Sequence, residues 1–184
     1  ARGAAVILFE SKPDETFPDM VGEAAWIQVE NARIALSKMA AVFYDHPAAK
    51  TYNIGVTGTN GKTTIVSLVH GILNKAQPSA RLGTLGTVYN GIAQKTSLTT
   101  PEAPVIFQFL SEAVKRGCQN LVMEVSSVAL KLHRVDDIHF SQAIFTTFTG
   151  DHLDFHKTMD DYFQSKLLLF KRLGMDDWAI INLD

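Results

Sequence analysis

A mostly parallel α/β sheet with helices on both faces is the fold this sequence predicts, and three observations predict it. Short apolar runs of strand type recur at residues 52–56, 121–125, 143–148 and 178–183. Segments with helical spacing separate them, so the strands return to one sheet in the same direction and are buried on both sides. The third observation is the stretch Gly-Val-Thr-Gly-Thr-Asn-Gly-Lys-Thr-Thr at residues 55–64. It stands between a strand pattern and a helix pattern, where P-loop-type mononucleotide-binding sheets cradle phosphate.

The elements follow in order. Residues 4–9, Ala-Ala-Val-Ile-Leu-Phe, read as a strand, and residues 21–29 supply a short second one around Trp26. Helical spacing then runs over 31–43 through Ile34, Leu36, Met39, Ala40 and Phe43, until His46-Pro47 breaks it. The polar link up to Thr51 is the expected domain boundary. Residues 1–48 then belong to a smaller α/β domain, and residues 49–184 to the nucleotide-binding one. After the glycine-rich loop, Ile65, Leu68, Val69, Ile72 and Leu73 mark a helix. Asn90-Gly91 between 84–89 and 92–97 signals a hairpin. Pro101 or Pro104 opens a helix carrying Val105, Ile106, Phe109, Leu110 and Val114, which stops near Gly117. Strands over 121–125 and 143–148, a helix over 159–173 and a last strand over 178–183 complete the pattern.

Composition narrows the function classes. The chain has 184 residues, 46% hydrophobic and 20% charged, with a formal net charge of −2. Nucleic-acid binders usually carry a basic excess, which is absent here. No apolar run is long enough to span a bilayer, and no signal peptide opens the sequence. The single cysteine, Cys118, has no internal disulfide partner and fits a reducing cytoplasm. The first residue is Ala1 rather than methionine, and the last strand finishes near Asp184, so a fragment of a longer protein is expected.

The loop carries the chemistry. Backbone N–H groups of Gly58, Thr59, Asn60, Gly61, Lys62, Thr63 and Thr64 and the positive helix end converge on one point. Lys62 reaches the outer phosphates, and the Thr63 hydroxyl faces the accompanying Mg²⁺. The general P-loop pattern needs glycine where this chain has Val56, so the loop is a variant. Glu124 directly follows the buried run Leu121-Val122-Met123. A carboxylate there is costly unless a cation or donor meets it, and Mg²⁺ suits it; a salt-bridged structural acid is the plainer alternative. Residues 149–156, Thr-Gly-Asp-His-Leu-Asp-Phe-His, gather ionisable groups just past another strand. His152 and His156 lack the order and the cysteines of a zinc site, and capping and turn chemistry is the plainer alternative for Asp151 and Asp154. Lys166, on the following helix, reads from spacing alone as a solvated or snorkelling lysine.

Together these strings resemble the Mur ligases, and the tripeptide-forming branch most of all. Residues 58–64, Thr99-Thr100-Pro101-Glu102, Met123-Glu124-Val125-Ser126-Ser127 and Asp151-His152-Leu153-Asp154-Phe155-His156 stand in that family's order. The resemblance implies an ATP-dependent amide-bond ligase of peptidoglycan precursor synthesis. Its substrates would be ATP, a UDP-muramoyl dipeptide and an amino acid, and it would act as a cytoplasmic monomer. It assigns Gly58–Thr64 to ATP, Thr63 to one Mg²⁺, and Glu124 and His152 to a second. Thr99, Thr100, Ser126 and Arg134 would hold the UDP-sugar dipeptide. Lys166 would carry a carbamate that turns a cation into a metal ligand, with Lys62, His152 and Lys166 as the catalytic set. Residues 1–48 would close the UDP-substrate domain, and the amino-acid-reading C-terminal domain would be missing. Three positions depart from the pattern: Val128 where His is usual, Gly150 where Arg is usual, and Thr147 where Asn is common. They weaken donor count near a polyanionic substrate. Folylpolyglutamate and cyanophycin synthetases share the loop, and a P-loop binding module without ligase activity is the alternative of another class.

Overall fold

The computed structural model describes residues 5–11, 24–151 and 153–183. Strand β1 (Val6–Phe9) pairs in parallel with β2 (Ala25–Gln28) in a separate two-stranded sheet. The start of the expected first strand and residues 21–23 of the second lie outside the described residues. Helix α1 (Ala32–Phe43) begins where the Asn31 side chain accepts from the N–H groups of Arg33 and Ile34, which leaves fewer orphan donors in the first turn. His46 and Pro47 end it as expected, and a short 3₁₀ turn (Pro47–Lys50) leads into the main sheet.

That sheet has seven strands in the order β6-β5-β4-β7-β3-β8-β9. Strand β3 (Tyr52–Thr57) is central, between β7 (Asn120–Glu124) and β8 (Gln142–Phe145), and parallel to both. Parallel pairing continues to β4 (Ser79–Gly83) on one side and β9 (Trp178–Ile181) on the other. Strands β5 (Gly86–Tyr89) and β6 (Ile92–Gln94) add an antiparallel edge. Their hairpin turns at Asn90 and Gly91, with φ of 45° and 79°, the positive values that a two-residue turn of this kind demands. Strand β4 has no counterpart in the sequence reading. Ser-Ala-Arg-Leu-Gly lacks an apolar run, and only its position between β5 and β7 makes it a strand.

Helix α2 (Lys62–Ala76) covers one face, where Val66 and Val69 pack on Ile54, Val56 and Val122. The opposite face carries α3 (Ala103–Lys115), α4 (Ser127–Lys131) and α6 (Met159–Phe170), whose Ile106, Leu110, Leu130 and Leu169 join Leu82, Leu121, Met123 and Ala143 in the larger core. Cys118 is buried in that core. The chain leaves β3 through α2 toward β4, and leaves β7 through α4 toward β8. It therefore diverges at the carboxyl ends of two neighbouring strands, and such a divergence opens a ligand crevice.

Candidate functional site

The connections after β3, β4, β7 and β8 and the one before α3 meet at that crevice. The loop after β3 is held from one side by the segment that follows β8. Thr147 O accepts from Thr59 N at 2.7 Å, and Thr147 Oγ1 accepts from Asn60 N at 3.1 Å. Thr146 Oγ1 donates to Asn60 O at 2.5 Å, and Thr59 Oγ1 exchanges hydrogen bonds with Thr149 N and O. Gly58 has φ +137°, and a Cβ there would stand 2.0 Å from Thr146 Oγ1. The glycine is thus required both by its backbone and by the clamp beside it. Thr147, one of the departures from the family pattern, is therefore a loop-holding residue in this chain.

Lys62, the first residue of α2, folds its amine over the loop, 2.8 Å from both Gly58 O and Thr59 O. Burial lowers its pKa, partly offset by the charges of Glu124 and Asp151. Lys166 reaches the same Gly58 carbonyl at 2.9 Å from the other side and is 1% exposed. The solvated lysine expected from helical spacing is overturned. Residue 166 lies on the face of α6 that packs onto the sheet, and its stem and amine go inward with it. Its ammonium stands 4.2 Å from the Tyr162 ring centre, and Tyr162 in turn touches Thr59 Oγ1 through its hydroxyl at 3.3 Å. Burial first, and the neighbouring Lys62 charge second, push the Lys166 pKa down to about 7.

Glu124 ends β7 and is 1% exposed. Among the described residues it makes no salt bridge, and its hydrogen bonds come from neutral donors. Thr63 Oγ1 donates to Oε2 at 3.0 Å, Thr84 N donates to Oε1 at 2.8 Å, and Thr84 Oγ1 to Oε2 at 3.2 Å. A Cβ on Gly83 would come within 2.2 Å of Glu124 Oε1, so the strand before Thr84 makes room for the carboxylate. A buried carboxylate beside a threonine hydroxyl, open to the loop, is an oxygen donor set of the kind Mg²⁺ takes. Among the described residues no three His, Cys, Asp or Glu side chains gather as a metal cluster. His152, with the metal and catalytic roles expected for it, lies outside the described residues.

The four residues expected to hold a substrate are joined in one network next to Glu124. Thr100 Oγ1 donates to Glu124 O at 2.9 Å and accepts from Ser126 N at 3.1 Å. Ser126 caps α4 by accepting from Ala129 N, and Thr99 Oγ1 meets Thr84 Oγ1 at 3.0 Å. Arg134 donates to Thr100 O at 2.9 Å and pairs with Glu102 at 2.5 Å. Glu102 also faces Arg33 of α1 at 3.8 Å. Residue-level reading did not single out Thr84, Gly83, Thr146 or Tyr162. Each acts through a fold contact with a motif residue; Gly83, Thr84 and Thr146 stand at or just past strand ends, while Tyr162 lies within α6.

On the far side of the loop a cavity of about 510 Å³ runs between Asn60, Gly61 and Ile65 and the strand ends at Ile144, Ile180 and Asn182. Apolar walls with two side-chain amides suit a flat heterocycle.

The fold and the site define a P-loop-type nucleotide-binding domain with a second lysine, a buried one, over the loop. The description Mur ligase middle domain matches residues 56–184, and the chain belongs to the Mur ligase family. Among its relatives, a UDP-N-acetylmuramoyl-L-alanyl-D-glutamate–2,6-diaminopimelate ligase of Synechocystis sp. is 44% identical over 183 residues, covering 99% of this chain and 36% of its own. One with the same name from Geobacter metallireducens is 40% identical over 191 residues, covering 100% of this chain and 36% of its own. The chain thus spans about a third of the length of the curated relatives it matches. A solved structure of a ligase with that name superposes with TM-score 0.74 at 28% identity, over 89% of this chain and 34% of that one. A MurF ligase from Thermotoga maritima in complex with ADP shares the fold, with TM-score 0.62 at 19% identity over 99% of this chain and 38% of that one.

Proposed function

We propose that the protein containing this chain is an ATP-dependent ligase that joins 2,6-diaminopimelate to UDP-N-acetylmuramoyl-L-Ala-D-Glu in peptidoglycan precursor synthesis. The observation that carries the reading is the convergence of Lys62 and Lys166 on one loop carbonyl opposite the buried Glu124. A site that only bound nucleotide would not need Lys166, a second lysine that is buried. Relatives at 40–44% identity named as 2,6-diaminopimelate ligases support diaminopimelate as the amino acid. Residues 1–48 then close a UDP-substrate domain and residues 49–184 open the central ATPase domain. The reading also takes the enzyme as cytoplasmic and monomeric; among the described residues no helix is long and apolar enough to cross a membrane.

In this reading the loop N–H groups and Lys62 hold the ATP phosphates, and the cavity beside Ile65 receives the base. The substrate carboxylate attacks the γ-phosphorus and ADP leaves, giving an acyl phosphate. The incoming amine attacks the acyl carbon, loses a proton, and phosphate departs from a tetrahedral intermediate. Phosphoryl transfer of this kind depends mostly on positioning and charge neutralisation, and Lys62 supplies both at the loop. Thr63 would hold one Mg²⁺, and Glu124, His152 and a carbamylated Lys166 a second; the metals would supply charge neutralisation on the phosphoryl oxygens. A neutral amine is the form that adds CO₂, and a pKa of about 7 leaves roughly half of Lys166 in that form at neutral pH. Thr99, Thr100, Ser126 and Arg134 form the wall that faces the UDP-dipeptide.

The test is phosphate release from Mg-ATP by the full-length gene product with the UDP-muramoyl dipeptide, with and without diaminopimelate or lysine. Release that requires the dipeptide and diaminopimelate supports the assignment; release driven by glutamate and a folate overturns it. Within the same assay, Gly83→Ala forces the Glu124 carboxylate out of place, since its Cβ would stand 2.2 Å from Oε1. The Mg²⁺ concentration for half-maximal rate is expected to rise about tenfold, the scale of a disturbed ligand-orienting contact. An unchanged Mg²⁺ requirement would remove Glu124 from the metal site.

A further inference from the structure

His156 belongs to no role assigned so far, yet its ring is fully enclosed at the site, 0% exposed. It ends the short helix α5 (Leu153–His156) and touches two other helices. Nε2 lies 2.8 Å from Ser127 Oγ, in the first turn of α4, and Nδ1 lies 3.3 Å from Ser165 Oγ on α6. The ring also leans against Tyr162, centre to centre 5.1 Å.

The hydrogen bonds fix the tautomer. Ser165 Oγ donates its proton to Asp161 O at 2.6 Å, so toward the ring it accepts, and Nδ1 carries the hydrogen. Asp161 Oδ2, 3.6 Å from the same nitrogen, favours that placement. Burial keeps the ring neutral by lowering its pKa, so Nε2 is an acceptor and Ser127 donates to it. A serine hydroxyl on Nε2 with a carboxylate behind Nδ1 has the connectivity of a hydrolytic nucleophile. Here Ser127 is 1% exposed, and no substrate carbonyl can reach it. The arrangement therefore joins helices and performs no attack.

What it joins matters. Ser127 follows Ser126, the cap of α4 in the substrate wall, and Ser165 precedes Lys166. We propose that His156 is a positioning residue that sets the spacing between the Ser126 end of α4 and the Lys166 turn of α6; the proposal rests on the ligase reading above. Tyr162 completes the link, stacked near His156 on one side, with the Lys166 amine 4.2 Å from its ring centre and its hydroxyl on Thr59 Oγ1.

Three variants of the full-length gene product test it. His156→Leu removes both bonds. His156→Asn keeps an amide near the Nδ1 position, and His156→Gln reaches the Nε2 position. Loss of an orienting contact of this kind lowers activity roughly 10-fold to 100-fold. His156→Leu is expected to lose that much kcat with KM for ATP within about twofold. His156→Asn should restore kcat better, through Ser165, and His156→Gln should restore KM for the UDP-dipeptide better, through Ser127. A second readout is independent of turnover: trace acetylation of lysines followed by peptide mass spectrometry. Lys166 labelling should rise severalfold in His156→Leu while Lys62 labelling stays constant. Equal losses in all three variants that track only the fraction of folded protein would overturn the proposal, as would unchanged Lys166 labelling. Should the wild type ligate no acceptor, the ligase reading fails, and the labelling ratio still decides the role of His156.

Discussion

Replacing Lys62 with alanine is expected to reduce turnover about 10³-fold, roughly 4 kcal/mol of lost transition-state stabilisation. The amine sits 2.8 Å from two carbonyls of its own loop and is carried on the first residue of α2. It therefore stands where the helix end and the loop N–H groups already concentrate positive potential. Charge that develops on the transferring phosphoryl group meets this cation in a half-buried, low-dielectric place, where its removal is felt strongly. Arginine should rescue little, because a planar five-donor fork does not fit the space of a compact ammonium between Gly58 O and Thr59 O. The fold should survive, since burial disfavours the charged amine in the first place. Steady-state kinetics paired with thermal melting would check this, and a variant that melts as wild type yet keeps more than a tenth of the rate would remove the assigned role.

Lys166→Ala carries the second large effect, a loss of about 10²-fold to 10³-fold, on the scale of removing one preorganised electrostatic group. The nature of the rescue identifies the chemistry. If the working group is a carbamate, added formate or acetate should restore part of the rate, and a small alkylamine should restore none. Rescue by the amine alone would mean that the lysine works as a lysine. Stability offers a companion measurement in bicarbonate-free buffer. The folded pKa of about 7 lies below the ordinary lysine value of 10.5. Between those values the unfolded chain binds the additional proton, so this group adds stability as pH rises through the window. Relative to Lys166→Met, the wild type should gain stability from pH 7 to pH 10, and no gain would contradict a buried, unmodified amine.

How much of this was legible in the residues differs from element to element. The place of the loop at 55–64 between a strand and a helix is legible because the signal is local: glycines, a lysine and threonines adjacent in sequence are adjacent in space. The parallel sheet followed from apolar strands alternating with helices. Strand ends were overextended by one to three residues, at Phe145 rather than 148 and at Ile181 rather than 183. The apolar pattern runs on into the loop, while hydrogen-bond pairing stops. Strand β4 was missed, because Arg81 and three small residues hide a segment whose place between β5 and β7 comes from pairing alone. Arg134 and Thr100 became site candidates through a family resemblance, and the contacts with Glu102, Glu124 O and Ser126 N needed the fold.

The sequence by itself determined the class of sheet, the phosphate loop and the family, since those depend on periodicity and on runs of consecutive residues. Only the tertiary structure decided the environment of the ionisable groups. Lys166 lies 108 positions from the Gly58 carbonyl it touches, and His156 lies 29 from Ser127. Burial and charge proximity are set by distances in space, and a side chain on a helix carries no mark of which face will meet the sheet. That is why a lysine read as solvated stands 1% exposed over the loop, and why a histidine set aside as a zinc ligand joins two helices at the site.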